Sequence, residues 1–204
     1  MGICGIDEAG RGPWAGPVVA AAVILPAKGR PKGLADSKAL SAEERAELAL
    51  AIRACAVVGV GAASASEIDA INILQATWLA MRRALAALPQ APAAALIDGA
   101  AGPPDFPCPV ECIIDGDAHV ACISAASIIA KIERDRIMAA LCETHPGYGF
   151  ARHKGYGTPE HQAALADLGP CAIHRMSFKP VRLAFEARAG ASPAATLSPN
   201  AAAS

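Results

Sequence analysis

No apolar run approaches the ~20 residues needed to cross a bilayer. The longest, Gly16–Pro26, has about eleven. It follows Asp7, Glu8 and Arg11, unlike the start of a signal peptide. Charge of one sign is also lacking: 18 Lys and Arg stand against 19 Asp and Glu, a net charge of −1. That average argues against a histone-like or tail-driven nucleic-acid binder. It also hides an asymmetry. Residues 1–117 carry 9 basic and 13 acidic groups, whereas residues 118–204 carry 9 and 6. Aromatics make up only 4%, and both tyrosines, Tyr148 and Tyr156, fall within nine residues of each other. No G-x-x-x-x-G-K-S/T stretch exists, so the chain has no Walker loop. No internal repeat is present.

Seven cysteines, an odd number, are dispersed through apolar surroundings. They read as small buried residues in a reducing compartment, which makes the expected location cytoplasmic. Cys108 and Cys112 lack the second ligand pair that a zinc site needs.

What is abundant is alanine, about 50 of 204 residues, which inflates the 53% hydrophobic content. A charged fraction of 18% and a mean hydropathy of +0.33 exclude a disordered chain. The length fits one domain, expected over 1–188, with an Ala/Ser/Pro-rich disordered tail over 189–204.

Strands are expected over Gly2–Asp7, Pro17–Leu25, Ala56–Ala62, Ala93–Asp98 and Val110–Ile114. Ser41 and Glu44 have capping-box spacing, predicting a helix to about Ala54. A second helix is expected over Ile71–Leu88, with Ser66-x-x-Asp69 as its start signal. Ser124–Cys142 has helical spacing. Thr158-Pro159 starts another helix, and Lys179–Arg188 forms the last. Two strands followed by alternating helices and strands give an α/β layer fold with a mixed sheet.

Carboxylates at strand ends are the main chemical signal. Asp7 and Glu8 close one strand and Asp98 another, and ligands of open α/β sheets collect beyond such ends. Asp135 follows Ile128 by seven residues and shares its helix face. Gathered carboxylates repel one another and raise each other's pKa, a cost that hard divalent cations remove. Two such ions can promote phosphodiester displacement. On spacing alone, solvated surface acids and helix caps account for the set equally well. Gly10-Arg11-Gly12 permits close backbone approach to a ligand, though alone it reads first as a turn with a solvated Arg. Arg152-His153-Lys154-Gly155-Tyr156 is basic, glycine-hinged and aromatic, suited to phosphate contact and stacking, or to an ordinary surface loop.

Taken jointly, these blocks resemble the ribonuclease HII family, type 2 ribonuclease H, from about Ile3 to Phe185. Asp7-Glu8-Ala9-Gly10-Arg11-Gly12-Pro13 is similar to the family's opening motif. Asp36-Ser37-Lys38, Asn72-Ile73, Ile97-Asp98-Gly99, Ile123–Lys131 with Arg134-Asp135, Tyr148-Gly149-Phe150, His153–Tyr156 and His174-Arg175 follow in family order.

The resemblance implies a ribonuclease H-like fold: a five-stranded mixed sheet flanked by helices, with a C-terminal helical extension. It implies an endonuclease that hydrolyses the RNA strand of RNA–DNA hybrids. It further implies nicking 5′ to single ribonucleotides embedded in duplex DNA, leaving 3′-OH and 5′-phosphate, in ribonucleotide removal during replication and repair. Asp7, Glu8, Asp98 and Asp135 match its catalytic, metal-binding carboxylates, with two Mg2+ or Mn2+ ions as cofactors. Gly10, Arg11 and Gly12 match the loop that reads the 2′-OH. Ser37 and Lys38 match a phosphate-holding motif, and Tyr156 matches the ring that stacks at the RNA-to-DNA junction. Family precedent leans to a monomer, and the short apolar runs lead to the expectation of no membrane partner. Type 3 ribonuclease H, the nearest rival, carries an extra N-terminal domain for which no room is expected before residue 7.

Two departures stand out. Gly157 replaces the family's usual Pro, which should loosen the loop around Tyr156. Met176 replaces a second Arg, leaving Arg175 as the expected phosphate contact.

Overall fold

The computed structural model describes residues 2–34 and 40–191. Five strands form one sheet: β1 (Ile3–Ala9), β2 (Val18–Ile24), β3 (Val57–Ala63), β4 (Ala94–Asp98) and β5 (Val110–Ile113). Their spatial order is β3-β2-β1-β4-β5. The first three strands are antiparallel neighbours, whereas β4 runs parallel to β1 and β5 parallel to β4. The sheet is therefore mixed and the fold is ribonuclease H-like α/β, as the sequence implied.

Among the described residues seven helices are interleaved with or follow these strands: α1 (Ala42–Cys55), α2 (Ala65–Ala86), α3 (Gly116–His119), α4 (Ala121–Thr144), α5 (Phe150–His153), α6 (Pro159–Leu168) and α7 (Lys179–Ala191). Side-chain alternation along β1 explains how they pack. Cys4 and Ile6 point to one core, shared with Met81 and Ala84 of α2. On the opposite face, Ala21 and Val23 of β2 meet Ile52 of α1 and Ile128 and Ile129 of α4. Every residue of β2 is buried, as a strand covered on both faces requires.

Helix α2 differs from expectation in an informative way. It starts at Ser64, whose hydroxyl accepts from the Glu67 amide while Glu67 accepts from the Ser64 amide. That is a capping box two residues ahead of the expected start signal at Ser66. The helix then breaks at Asn72 (φ 66°, ψ 165°). The Asn72 Oδ1 accepts from the amides of Leu74 (3.0 Å) and Gln75 (3.1 Å), so it recaps the second segment. The expected helix from Ile71 is that second segment.

The cysteines are also corrected. All seven are free thiols, but only Cys4 is fully buried, and Cys55 is exposed. Helix α7 reaches Ala191, three residues beyond the expected Arg188. Residues 192–204 of the expected tail lie outside the described residues. Among the described residues no helix is long and apolar enough to cross a membrane.

Candidate active site

Register places the first two carboxylates together. In the parallel β1–β4 pair, Ile6 is opposite Ile97, so Asp7 and Asp98 are the next residues along adjacent strands. Ile6 and Ile97 face the α2 core. By alternation, Asp7 and Asp98 face α4. Asp7 is only 6% exposed. Burial, then the Glu8 and Asp98 charges, hold its carboxyl well above the ordinary carboxylate range, and a Ser127 hydrogen bond partly offsets this. The Asp7 Oδ1 also accepts from the Glu8 amide at 2.7 Å. Glu8 is raised as well, chiefly by burial, although Arg11 opposes the shift from 3.4 Å.

Asp135 does not join this cluster. It lies eight residues beyond Ser127 on α4, about 12 Å along the axis. Both its oxygens accept from Lys131 Nζ, at 2.6 and 2.7 Å. The shared face with Ile128 was real, but an i,i+4 ion pair takes up this carboxylate. Asp117 occupies the neighbourhood instead. It is buried in α3, just after β5, and its amide donates to Asp98 Oδ1 at 3.3 Å. Sequence reasoning passed over Asp117. The available signal was Gly116-Asp117 placed directly after the fifth strand.

Gly10–Gly12 leaves the end of β1 as a loop held from behind. Gly10 has φ 96°, a conformation that disfavours a side chain. Beneath it lie two buried guanidiniums. Arg175 donates to the carbonyls of Gly10 (2.6 Å), Arg11 (2.8 Å) and Gly16 (3.0 Å from Nε). Arg134 donates to the carbonyls of Pro17 (3.1 Å) and Ala15 (3.3 Å). Burial, then repulsion from Arg134, lowers the Arg175 pKa to about 9. The expected phosphate contact at Arg175 is therefore corrected: this cation is a buried strut for the loop.

Tyr156 follows α5 and is 46% exposed. Its ring stands over a cleft of about 400 Å3 whose walls include Glu8, Gly10, Arg45, Ser127 and Lys131. The Arg134 guanidinium carbon lies 5.8 Å from the ring centroid. Tyr148 is the opposite case, buried against Phe150 and donating to the Gly169 carbonyl at 2.6 Å. A larger cavity, about 690 Å3, lies between α6 and α7, but it is largely apolar and no carboxylate lines it. Ser37 and Lys38 lie outside the described residues.

Among the described residues no three carboxylates, imidazoles or thiols form a ready-made metal cage. The donor set nevertheless fits hard cations. It offers buried oxygens whose mutual repulsion a divalent ion would relieve, and Mg2+ commonly takes few carboxylates plus water and phosphate oxygens.

The chain matches the family described as Ribonuclease HII over residues 4–181. It is 62% identical over 180 residues to a ribonuclease HII of Parvibaculum lavamentivorans, covering 88% of this chain and 67% of that one. The ribonuclease H2 of Pyrococcus horikoshii superposes with a TM-score of 0.76 at 27% identity, over 92% of this chain and 98% of that one. Bst-RNase HIII, solved in complex with Mn2+, shares the fold alone: TM-score 0.76 at 21% identity, over 92% of this chain and 70% of that one.

Proposed function

The chain belongs to the ribonuclease HII family and is a ribonuclease H endonuclease; on that premise we propose that it nicks duplex DNA on the 5′ side of an embedded ribonucleotide, as well as the RNA strand of hybrids. The products are a 3′-OH and a 5′-phosphate. The observation that carries this reading is the pairing of Asp7 and Asp98 at adjacent strand ends, beside a cleft bordered by Gly10 and Tyr156.

Asp7, Glu8 and Asp98 would hold two divalent cations, with Asp117 rather than Asp135 as the fourth acid. Bound there, such ions supply a water of lowered pKa and charge to offset the departing 3′ oxygen. The Gly10–Gly12 backbone, fixed by Arg175, approaches the ribose closely enough to read its 2′-OH, the group that separates RNA from DNA. The exposed Tyr156 ring stacks on the sugar that follows. Ser37 and Lys38 hold a backbone phosphate. The basic C-terminal half supplies salt-sensitive attraction to the duplex.

The test is incubation with Mg2+ or Mn2+ and a DNA duplex holding one ribonucleotide, beside an all-DNA control. One nick, 5′ to the ribonucleotide and absent from the control, is expected. An intact strand under both ions would overturn the reading.

A further inference from the structure

The Gly157 departure should have loosened the Tyr156 loop, and packing shows why it need not. Gly157 has no positive φ that would demand glycine. What it lacks is room: a Cβ there would run into Cζ2 and Cε2 of the Trp14 indole. The ring lies directly on the Gly157 backbone. A Pro at 157 carries a Cβ too, so it would meet the same obstacle.

Trp14 grips this loop at two further points. Its amide donates to the Gly155 carbonyl at 2.8 Å, on the residue before Tyr156. Its indole packs against the His161 ring, with centroids 5.5 Å apart. His161 in turn donates from Nδ1 to the Tyr156 carbonyl at 2.9 Å. On its other side, the Trp14 carbonyl accepts from the Arg175 amide at 2.8 Å. Trp14 thus stands between the loop of Gly10–Gly12 and the residues on both sides of Tyr156.

We propose that Trp14 is the positioning residue for Tyr156, its indole fixing the loop that a ring-constrained residue at 157 would otherwise fix. The functional half of this inference rests on the reading of Tyr156 as a junction contact. Trp14 touches no reacting atom. It limits the orientations of the Tyr156 backbone, and a loop already held in its binding conformation loses less free energy when the duplex binds, so the effect falls on affinity.

The test compares wild type with Trp14→Ala, Trp14→Leu, Gly157→Pro and the doubles Trp14→Ala/Gly157→Pro and Trp14→Leu/Gly157→Pro. Hydrogen exchange is followed at the amides of Tyr156 and Thr158, which bond the His153 and Tyr156 carbonyls. Trp14→Ala should speed that exchange roughly tenfold and raise KM on the single-ribonucleotide duplex about tenfold, with kcat nearly unchanged. Gly157→Pro alone should be as damaging, because the indole leaves no space. In the double variant the Pro should restore both readouts to within about threefold of wild type, a reversal of sign that independent sites do not show. If Trp14→Ala fails to fold, Trp14→Leu and its double carry the same comparison.

Unchanged exchange in the Trp14 variants, or effects that simply multiply in the double, would overturn the proposal. Exchange reports on the brace, and KM on what Tyr156 does. A Tyr156→Ala variant with unaltered substrate preference would sink the junction reading while leaving the brace intact.

Discussion

Asp7 and Asp98 stand side by side because Ile6 is paired with Ile97 in the parallel β1–β4 register. Both acids come from strand ends on the α4 side of the sheet, where Asp7 is nearly sealed from solvent. Their repulsion in a buried setting is a cost to the folded chain that a divalent ion would remove.

Asp7→Asn should lower nicking by ~10^3-fold or more, because half of the strand-end pair is lost. The metal-free variant should be at least as thermostable as wild type, since a buried charge has been removed. Mg2+ should raise the melting temperature of wild type but not of the variant. Thermal melts with and without Mg2+, alongside a nicking assay, check all three points.

Asp117→Asn and Asp135→Asn separate the two candidates for the fourth acid. The first should lose ~10^2-fold or more in kcat, and the second should stay within ~3-fold of wild type. Kinetics on the single-ribonucleotide duplex decides. The reverse order of losses would return Asp135 to the site.

That contrast also marks what the sequence made legible. The five strands followed from alternation, and acids at the ends of the first and fourth marked Asp7 and Asp98 as a pair on the condition that those strands are neighbours, which the β1–β4 register makes them. The placement of Asp135 went astray because a helical face specifies direction and not height along the axis. Asp117 was hidden because α3 is only four residues long and starts from Asp115 in a left-handed conformation (φ 53°), leaving no periodic pattern to find. In the sequence Arg175 reads as a phosphate contact and Arg134 only as part of a family block; contacts 159 and 119 residues away along the chain place both under a loop. Trp14 was likewise invisible as a brace, since its partner is a glycine 143 positions later.

Arg175→Met should destabilise the protein by about 2–5 kcal/mol, because the buried carbonyls of Gly10 and Gly16 and the partly buried one of Arg11 lose their donor. Arg175→Lys should recover only part of this, as a point charge cannot reach all three. Urea melts of the three proteins give the comparison.

Tyr156→Ala should cut cleavage at a single ribonucleotide more than cleavage of long hybrids, by about tenfold in the ratio of kcat/KM values. Its exposed ring should leave stability within ~0.5 kcal/mol of wild type. Parallel kinetics on the two substrates, with a thermal melt, tests it.

Acid should weaken the C-terminal part of the fold through His174. Burial, then the neighbouring His161, lowers its pKa to about 4 from an ordinary 6.5. Its Nδ1 accepts from the Cys171 amide at 2.9 Å, and its Nε2 lies 3.0 Å from that of His161. Between pH 6.5 and 4 the unfolded chain binds the extra proton, so this stability is present above pH 6.5 and lost as pH falls toward 4. His174→Gln should show a smaller fall in melting temperature between pH 7.5 and pH 5 than wild type does. An equal fall in both proteins would contradict this assignment.

The most direct measurement is anomalous diffraction from crystals grown with Mn2+ and a ribonucleotide-containing duplex. Two peaks are expected bordering Asp7 and Asp98, at the scissile phosphate, and none at the Lys131–Asp135 pair. Strand-end carboxylates without a peak, or ions gathered at Asp135, would contradict that placement.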